Sequence, residues 1–154
     1  MKKAGNAGAP PGSTVSLPCA CASLRRAARV VTQFYDDALR PTGLRVTQFT
    51  LLQALRLAPG ISQKELAGLL GIDSTTLSRT LALLRRRSWL RVQSGTDRRE
   101  VRLALTPAGE REYKRVLPRW RLAQTRLRQA LGEANWNQVM HAAARAAEVT
   151  PKPD

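Results

Sequence analysis

The feature that most constrains the fold is a pair of short amphipathic segments between Ser62 and Arg86, separated only by Gly71-Ile72-Asp73. The first opens with Ser62-Gln63-Lys64-Glu65, and a Ser three residues before a Glu is the capping-box pattern of a helix start. Its predicted buried face consists of Leu66, Leu69 and Leu70. Because Gly71 can adopt a left-handed turn, the sequence predicts two helices joined tightly, which is the helix-turn-helix layout.

The second segment has two distinct faces, and Asp73 or Ser74 is its predicted N-cap. The apolar face consists of Leu77, Leu81 and Leu84. The polar face consists of Ser74, Thr75, Ser78, Arg79, Ala82 and Arg86. Short hydroxyl side chains allow close approach to DNA, and Arg79 is long enough to reach O6 and N7 of a guanine. We therefore interpret this segment as a helix that enters the major groove.

After this pair the apolar period changes from helical to alternating. Leu90-Arg91-Val92 predicts a strand and Ser94–Arg98 a turn. In the second strand Val101, Leu103 and Leu105 alternate with Glu100, Arg102 and Ala104. Two strands around a basic turn form a wing, whose Arg98 and Arg99 are predicted to contact the minor groove. Asp97 either holds a neighbouring Arg through a charge-assisted hydrogen bond or favours the turn.

Amphipathic helices are predicted on both sides of this module. Residues 19–40 form the first, and Thr47 caps a second. After the wing, Thr106 caps a long helical region in which Pro118 causes a kink or a new start and Gly132 causes a break. A chain this short has little else for the outer apolar stripes to cover. We therefore predict that they pack against a second copy, which gives a homodimer.

Composition agrees with a mainly α-helical protein that has a polyanionic partner. Apolar residues make up 43% of the chain and aromatics only 5%, so the core must be mostly Leu, Val and Ala, which favours helices. The 26 Lys and Arg against 11 Asp and Glu give a net charge of +15, which implies nucleic acid, an anionic membrane or an acidic protein as partner.

No segment approaches the roughly 18 apolar residues that span a bilayer. The N-terminus also lacks the apolar run of a secretory signal, so we expect a cytoplasmic protein.

These motifs together resemble the multiple-antibiotic-resistance regulator (MarR) family. The matching stretches are residues 43–52, residues 62–79, and Asp97-Arg98-Arg99 followed by Leu105-Thr106-Pro107-Ala108-Gly109, which fits the family's Asp-x-Arg and Leu-Thr-x-x-Gly wing signature. The resemblance covers about residues 19–148. It implies a triangular homodimer whose two winged lobes bind a palindromic operator, with Arg99 in the minor groove braced by Asp97. Such proteins are mostly repressors released by a small phenolic anion, a lipophilic compound, an oxidant or a metal.

The predicted fold class is mainly α, a winged helix-turn-helix with flanking dimerisation helices. The predicted boundaries are a disordered tail over 1–17, one domain over 18–149 and a frayed tail over 150–154, with the winged helix-turn-helix at about 45–106 and dimerisation helices at about 19–40 and 107–149. The predicted DNA contacts are Ser62, Ser74, Thr75, Thr76, Ser78, Arg79, Arg85, Arg86, Asp97, Arg98 and Arg99. The run Arg85–Arg87 either lies near phosphates or is a solvated helix end.

Cys19 and Cys21, at the start of the first helix, are candidate sensors. From the helix N-terminus and the nearby Arg25 and Arg26 we expect thiols that react with oxidants or electrophiles or bind soft metals. The alternative is that both are ordinary small residues beside a tail. Two thiols do not complete a tetrahedral metal site, and we interpret His141, on the last helix, as a surface residue. No other cofactor is expected.

The sequence therefore predicts a sequence-specific, DNA-binding transcription regulator with a small-molecule effector that the sequence does not identify, and the family resemblance implies that it is a repressor. The alternative is a non-specific architectural nucleic-acid-binding protein, for which the charge alone would suffice. An enzyme is not expected, because paired carboxylates, a Ser/His/Asp set and a Gly-rich phosphate loop are not found in the sequence.

Overall fold

The computed structural model describes residues 18–94 and 101–149, most of which are helical. The elements in chain order are α1 (Ala20–Leu39), a 3-10 turn (Arg40–Thr42), α2 (Val46–Leu57), β1 (Ile61–Ser62), α3 (Gln63–Leu70), α4 (Ser74–Arg86), β2 (Leu90–Ser94), β3 (Val101–Leu105), α5 (Pro107–Leu131) and α6 (Glu133–Val149). The three strands form a small sheet beside the α3–α4 pair. The predicted fold class, mainly α with a helix-turn-helix and a wing, is confirmed.

The start of α2 differs from the prediction. Thr47 is the second residue of the helix, and Arg45 occupies the N-cap position. The acceptor for the first helical N–H comes from α1, since the carboxylate of Asp36 accepts from the N–H of Val46 at 2.7 Å. Asp36 therefore supplies the capping bond from ten residues upstream, where the local sequence gives no sign of it.

The sheet has the strand order β1-β3-β2, and both pairings are antiparallel. The two-residue strand β1 was not predicted; Ile61 pairs with Leu103 and Ser62 with Arg102. The predicted alternation in β3 holds only in part, because Ala104 is buried together with its two leucine neighbours. As the central strand, β3 is covered by α2, α3 and α5, so a small side chain on the nominally outer face is buried too.

The core joins the helix-turn-helix to the long helix α5. Phe49 of α2 stacks on Tyr113 of α5, with ring centroids 5.4 Å apart, and lies 5.9 Å from the ring of Trp120. The fully buried side chains around Phe49 include Leu39, Leu52, Leu55, Leu66, Leu77, Leu84, Leu103 and Val116. Leucines from α3 and α4 thus pack into the same core as α5. This shared packing positions the polar face of α4.

Two predictions about helix faces and breaks need correction. Leu69 was expected to be buried but is 63% exposed, because the eight-residue α3 turns only the side of Leu66 fully into the core. Of the two alternatives for Pro118, a new segment is wrong, because α5 continues through it with the ring on the exposed side of the helix, and the kink stays a prediction. The break at Gly132 is confirmed, with φ of 76° at the end of α5.

The outer helices leave much apolar surface uncovered in the single chain. Within α1, only Tyr35 and Leu39 are fully buried, and α6 has no fully buried residue along its whole length. The exposed apolar side chains on α1, α5 and α6 are Leu24, Val30, Val31, Phe34, Leu122, Val139, Met140 and Val149. Across the described residues, no helix has the length and apolar character that crossing a membrane requires.

Candidate nucleic-acid interface

The turn between α3 and α4 follows from local sequence. Ser62 caps α3 through its Oγ, which accepts from the N–H of Glu65 at 3.2 Å, while the Glu65 carboxylate accepts from the N–H of Ser62 at 2.8 Å. These bonds with Ser62 hold the pKa of Glu65 below its usual range. At the other end Gly71 adopts φ of 62°, the left-handed conformation that glycine tolerates. The predicted capping box and turn are both confirmed.

Asp73 is the N-cap of α4. One carboxylate oxygen accepts from the N–H of Thr76 at 2.9 Å and the other from the Thr76 hydroxyl at 2.6 Å. These bonds hold the pKa of Asp73 below its usual range. The carboxylate therefore occupies the helix N-terminus, and the Thr76 hydroxyl is engaged within the protein. Contact between Thr76 and DNA stays a prediction, but its first role in the fold is to hold this cap.

The predicted polar face of α4 is exposed. Leu77, Leu81 and Leu84 are buried on the opposite side, as expected from their spacing. The exposed predicted contacts on α4 are Ser74, Thr75, Thr76, Ser78, Arg79, Arg85 and Arg86. One helix therefore presents short hydroxyl groups toward its N-terminus and guanidinium groups farther along the same polar face.

Gln63 also belongs to this face, although the sequence analysis did not include it. Its side-chain amide, at the first position of α3, donates to Oγ of Ser78 on α4 at 2.8 Å. The bond spans 15 residues of sequence. No local pattern marks such a pair, and only the angle between the two short helices brings them together.

The three arginines at the end of α4 differ in their contacts within the protein. Arg85 and Arg86 are exposed. Arg87 is exposed too, but its guanidinium carbon lies 4.8 Å from the ring centroid of Trp89, a cation–π contact within the protein. Arg85 and Arg86 are thus the better candidates for phosphate contacts in this run.

The wing is described only along its strands. β2 and β3 pair from Leu90 with Leu105 to Ser94 with Val101. The predicted contacts Asp97, Arg98 and Arg99 lie outside the described residues, so their roles stay predictions. On β3, Arg102 turns toward the body of the domain, where one guanidinium nitrogen donates to the carbonyl of Gly60 at 3.1 Å and lies 3.8 Å from Glu65.

Cys19 and Cys21 are both exposed free thiols at the start of α1. Cys19 occupies the N-cap position, and Cys21 lies in the first turn. Among residues 18–94 and 101–149, no group of three or more His, Cys, Asp or Glu side chains could hold a metal ion. His141 is exposed on α6. A sensing role for the thiols stays a prediction.

The chain is similar in sequence and structure to known transcription regulators. The MarR family model matches residues 42–100. The M. tuberculosis transcriptional regulator MosR, solved in complex with DNA, is 38% identical with a TM-score of 0.75, covering 84% of this chain and 94% of that one. The transcriptional repressor CouR bound to a 23-mer DNA duplex is 26% identical with a TM-score of 0.76, over 88% and 99%. The uncharacterised regulator YwoH of Bacillus subtilis, described as HTH-type, is 29% identical over 93 residues, which are 60% of this chain and 68% of YwoH.

Proposed function

Because this chain belongs to the MarR family, we propose that it is a transcription regulator that binds a palindromic operator as a homodimer and represses the genes next to it. The observation that carries the proposal is the exposed polar face of α4, which combines Ser74, Thr75, Ser78 and Arg79. Such a face can hydrogen-bond to base edges in the major groove. The similar proteins MosR and CouR were both solved with DNA, which supports this use of the fold.

The charge of the chain supplies the affinity that base contacts alone do not. The net charge is +15, and Arg85 and Arg86 are exposed on the same helix as the polar face. Guanidinium groups that neutralise phosphates release condensed counterions, so binding should weaken steeply as salt rises. The proposed activity is binding alone and requires no chemical step.

The homodimer is supported by the uncovered apolar faces of the outer helices. Side chains such as Leu24 on α1 and Val139 on α6 are 55% and 52% exposed in the single chain. Both helices flank the winged module, at opposite ends of the sequence. A two-fold interface between these faces would cover them and place two α4 helices on successive half-sites of an inverted repeat.

Release from DNA is proposed to follow a small ligand, an oxidant or a metal. The two exposed thiols at the start of α1 are the candidate sensor for the last two signals. They lie outside the winged module, so a chemical change there would act through the dimer helices. Their contribution is testable separately from DNA binding.

The proposal is tested by selecting DNA fragments from the source genome with the full-length protein. We expect one enriched inverted repeat whose half-sites lie about one helical turn apart. Affinity for that repeat should exceed affinity for unrelated duplexes of equal length, and should fall steeply between low and physiological salt. Equal affinity for every duplex at fixed salt would contradict a specific regulator and favour an architectural binder.

A further inference from the structure

Thr106 links the segment that leaves α4 to the first turn of α5. Its Oγ1 donates to the carbonyl oxygen of Ser88 at 2.6 Å, and its N–H donates to the carbonyl of Trp89 at 3.0 Å. The same Oγ1 accepts from the N–H of Gly109 at 3.0 Å and so caps α5. One hydroxyl therefore serves both as the cap of α5 and as a donor to the chain that follows the recognition helix.

The other end of this link is the last turn of α4. The N–H groups of Ser88 and Trp89 donate to the carbonyls of Arg85 and Leu84, both at 2.9 Å. Ser88 has φ of 55°, a left-handed conformation that is unfavourable for a residue other than glycine. The bonds around Ser88 hold this conformation. They form a continuous hydrogen-bonded path from the end of α4, through residues 88 and 89, to the start of α5.

This path is a direct backbone link between α4 and α5, which also share one apolar core. α4 packs mainly against α3 and β2, and α5 packs mainly against α1, α2 and α6 and also contacts β3, the strand paired with β2. The outer helices form the predicted dimer body, and α4 carries the predicted base contacts. In addition to this shared core, the hydrogen bonds of Thr106 with Ser88 and Trp89 fix the end of α4 against the start of α5.

We infer that Thr106 is a positioning residue for operator binding: through its bond to Ser88 it sets the angle of α4 against α5. In a homodimer that angle determines the distance between the two recognition helices, and hence the half-site spacing that the protein accepts. The inference rests on the proposed function, since it assumes two copies of α4 on one operator.

Three substitutions at position 106 separate the two roles of the hydroxyl. Thr106→Ser keeps both the cap and the donor. Thr106→Asp keeps an acceptor for the N–H of Gly109, but an ionised carboxylate has no hydrogen to donate to Ser88. Thr106→Val has neither the acceptor for the N–H of Gly109 nor the donor to Ser88. A purely structural role for Thr106 as the cap of α5 would leave the Asp variant equal to wild type in DNA spacing preference.

The experiment measures affinity for duplexes that hold the two selected half-sites at the natural spacing, or at spacings one and two base pairs longer or shorter. Wild type and Thr106→Ser should prefer one spacing by about tenfold over its neighbours, a preference comparable to the cost of one mismatched base pair. Thr106→Asp should retain its helical circular dichroism and dimeric mass, while its spacing preference falls below about threefold. Thr106→Val should lose the preference together with thermal stability; if Thr106→Asp folds poorly, an unchanged spacing preference in Thr106→Val, which also lacks the donor, overturns the positioning role.

The outcomes distinguish this inference from the proposed function. A Thr106→Asp protein that keeps the wild-type spacing preference overturns the positioning role. A wild-type protein that binds all spacings and all sequences alike overturns the operator-binding proposal itself. Because the Asp substitution adds negative charge, only the ratio between spacings is compared, since a uniform loss of affinity cancels in that ratio.

Discussion

Gly109 in the first turn of α5 approaches the backbone of Trp89 so closely that a Cβ built on it would lie 2.3 Å from the Trp89 carbonyl oxygen. That carbonyl also accepts the N–H of Thr106, so it cannot move aside without breaking the bond. The glycine of the Leu-Thr-x-x-Gly signature is thus explained by a close approach of backbone to backbone.

Gly109→Ala should therefore destabilise the fold. Alanine normally stabilises a helix by about 1 kcal/mol over glycine, but the overlap with a fixed carbonyl should lower the free energy of unfolding by about 1–3 kcal/mol instead. Urea denaturation at matched protein concentration measures this. Gly68→Ala, at an exposed position of α3, is the control and should be neutral or stabilising. Equal stability of the two variants would show that Trp89 can shift.

How far the sequence predicts this fold depends on the range of each interaction. The caps at Ser62 and Thr106 were predicted, and Asp73 was one of two predicted alternatives, because each cap acts on an N–H group three residues away. The cap that Asp36 provides for α2 was missed, because its partner lies ten residues away and on another helix. Contacts between residues on different helices depend on the angles between those helices, which hydrophobic periodicity does not specify.

The same distinction applies to the interface. The polar face of α4 follows from helical spacing, so its exposure could be predicted. The contact of Gln63 with Ser78 and the stacking of Arg87 on Trp89 could not, because neither pair lies on one regular helix face. The apolar faces of α1 and α6 were predicted from periodicity, and their coverage by a second copy stays a prediction.

Sequence preference should depend on Arg79 and not on Arg85. If Arg79 binds a guanine edge, Arg79→Ala should lose about tenfold of discrimination at one position of each half-site, because a bidentate contact distinguishes the correct base from the others. Arg85→Ala, a matched loss of one charge on the same helix, should weaken binding to all duplexes alike and lower the salt slope by about 1. Competition binding against operators changed at single positions measures both. Uniform weakening by Arg79→Ala would favour the architectural alternative.

Dimerisation should depend on the exposed apolar faces of the outer helices. Leu24→Glu on α1 or Val139→Glu on α6 should shift the protein toward monomer, because a charge would be buried in the interface without a partner. Leu57→Glu is the control, since this side chain is 81% exposed at the end of α2, a helix that is not part of the predicted dimer interface. Sedimentation velocity measures the mass of each variant. Dimers of unchanged stability in all three variants would place the interface elsewhere.

Oxidant response should depend on Cys19 and Cys21. Mild peroxide should weaken operator binding by the wild-type protein, and a reducing agent should restore it, because exposed thiols are oxidised reversibly to sulfenic acid or disulfide. The double variant Cys19→Ser with Cys21→Ser should not respond, and soft metal ions should be tested in the same comparison. The single variants distinguish the two possible disulfides. A disulfide between protomers can still form with one cysteine and appears as a covalent dimer on a non-reducing gel. A disulfide between Cys19 and Cys21 of one chain cannot form in either single variant. If the double variant responds as wild type does, neither thiol is the sensor.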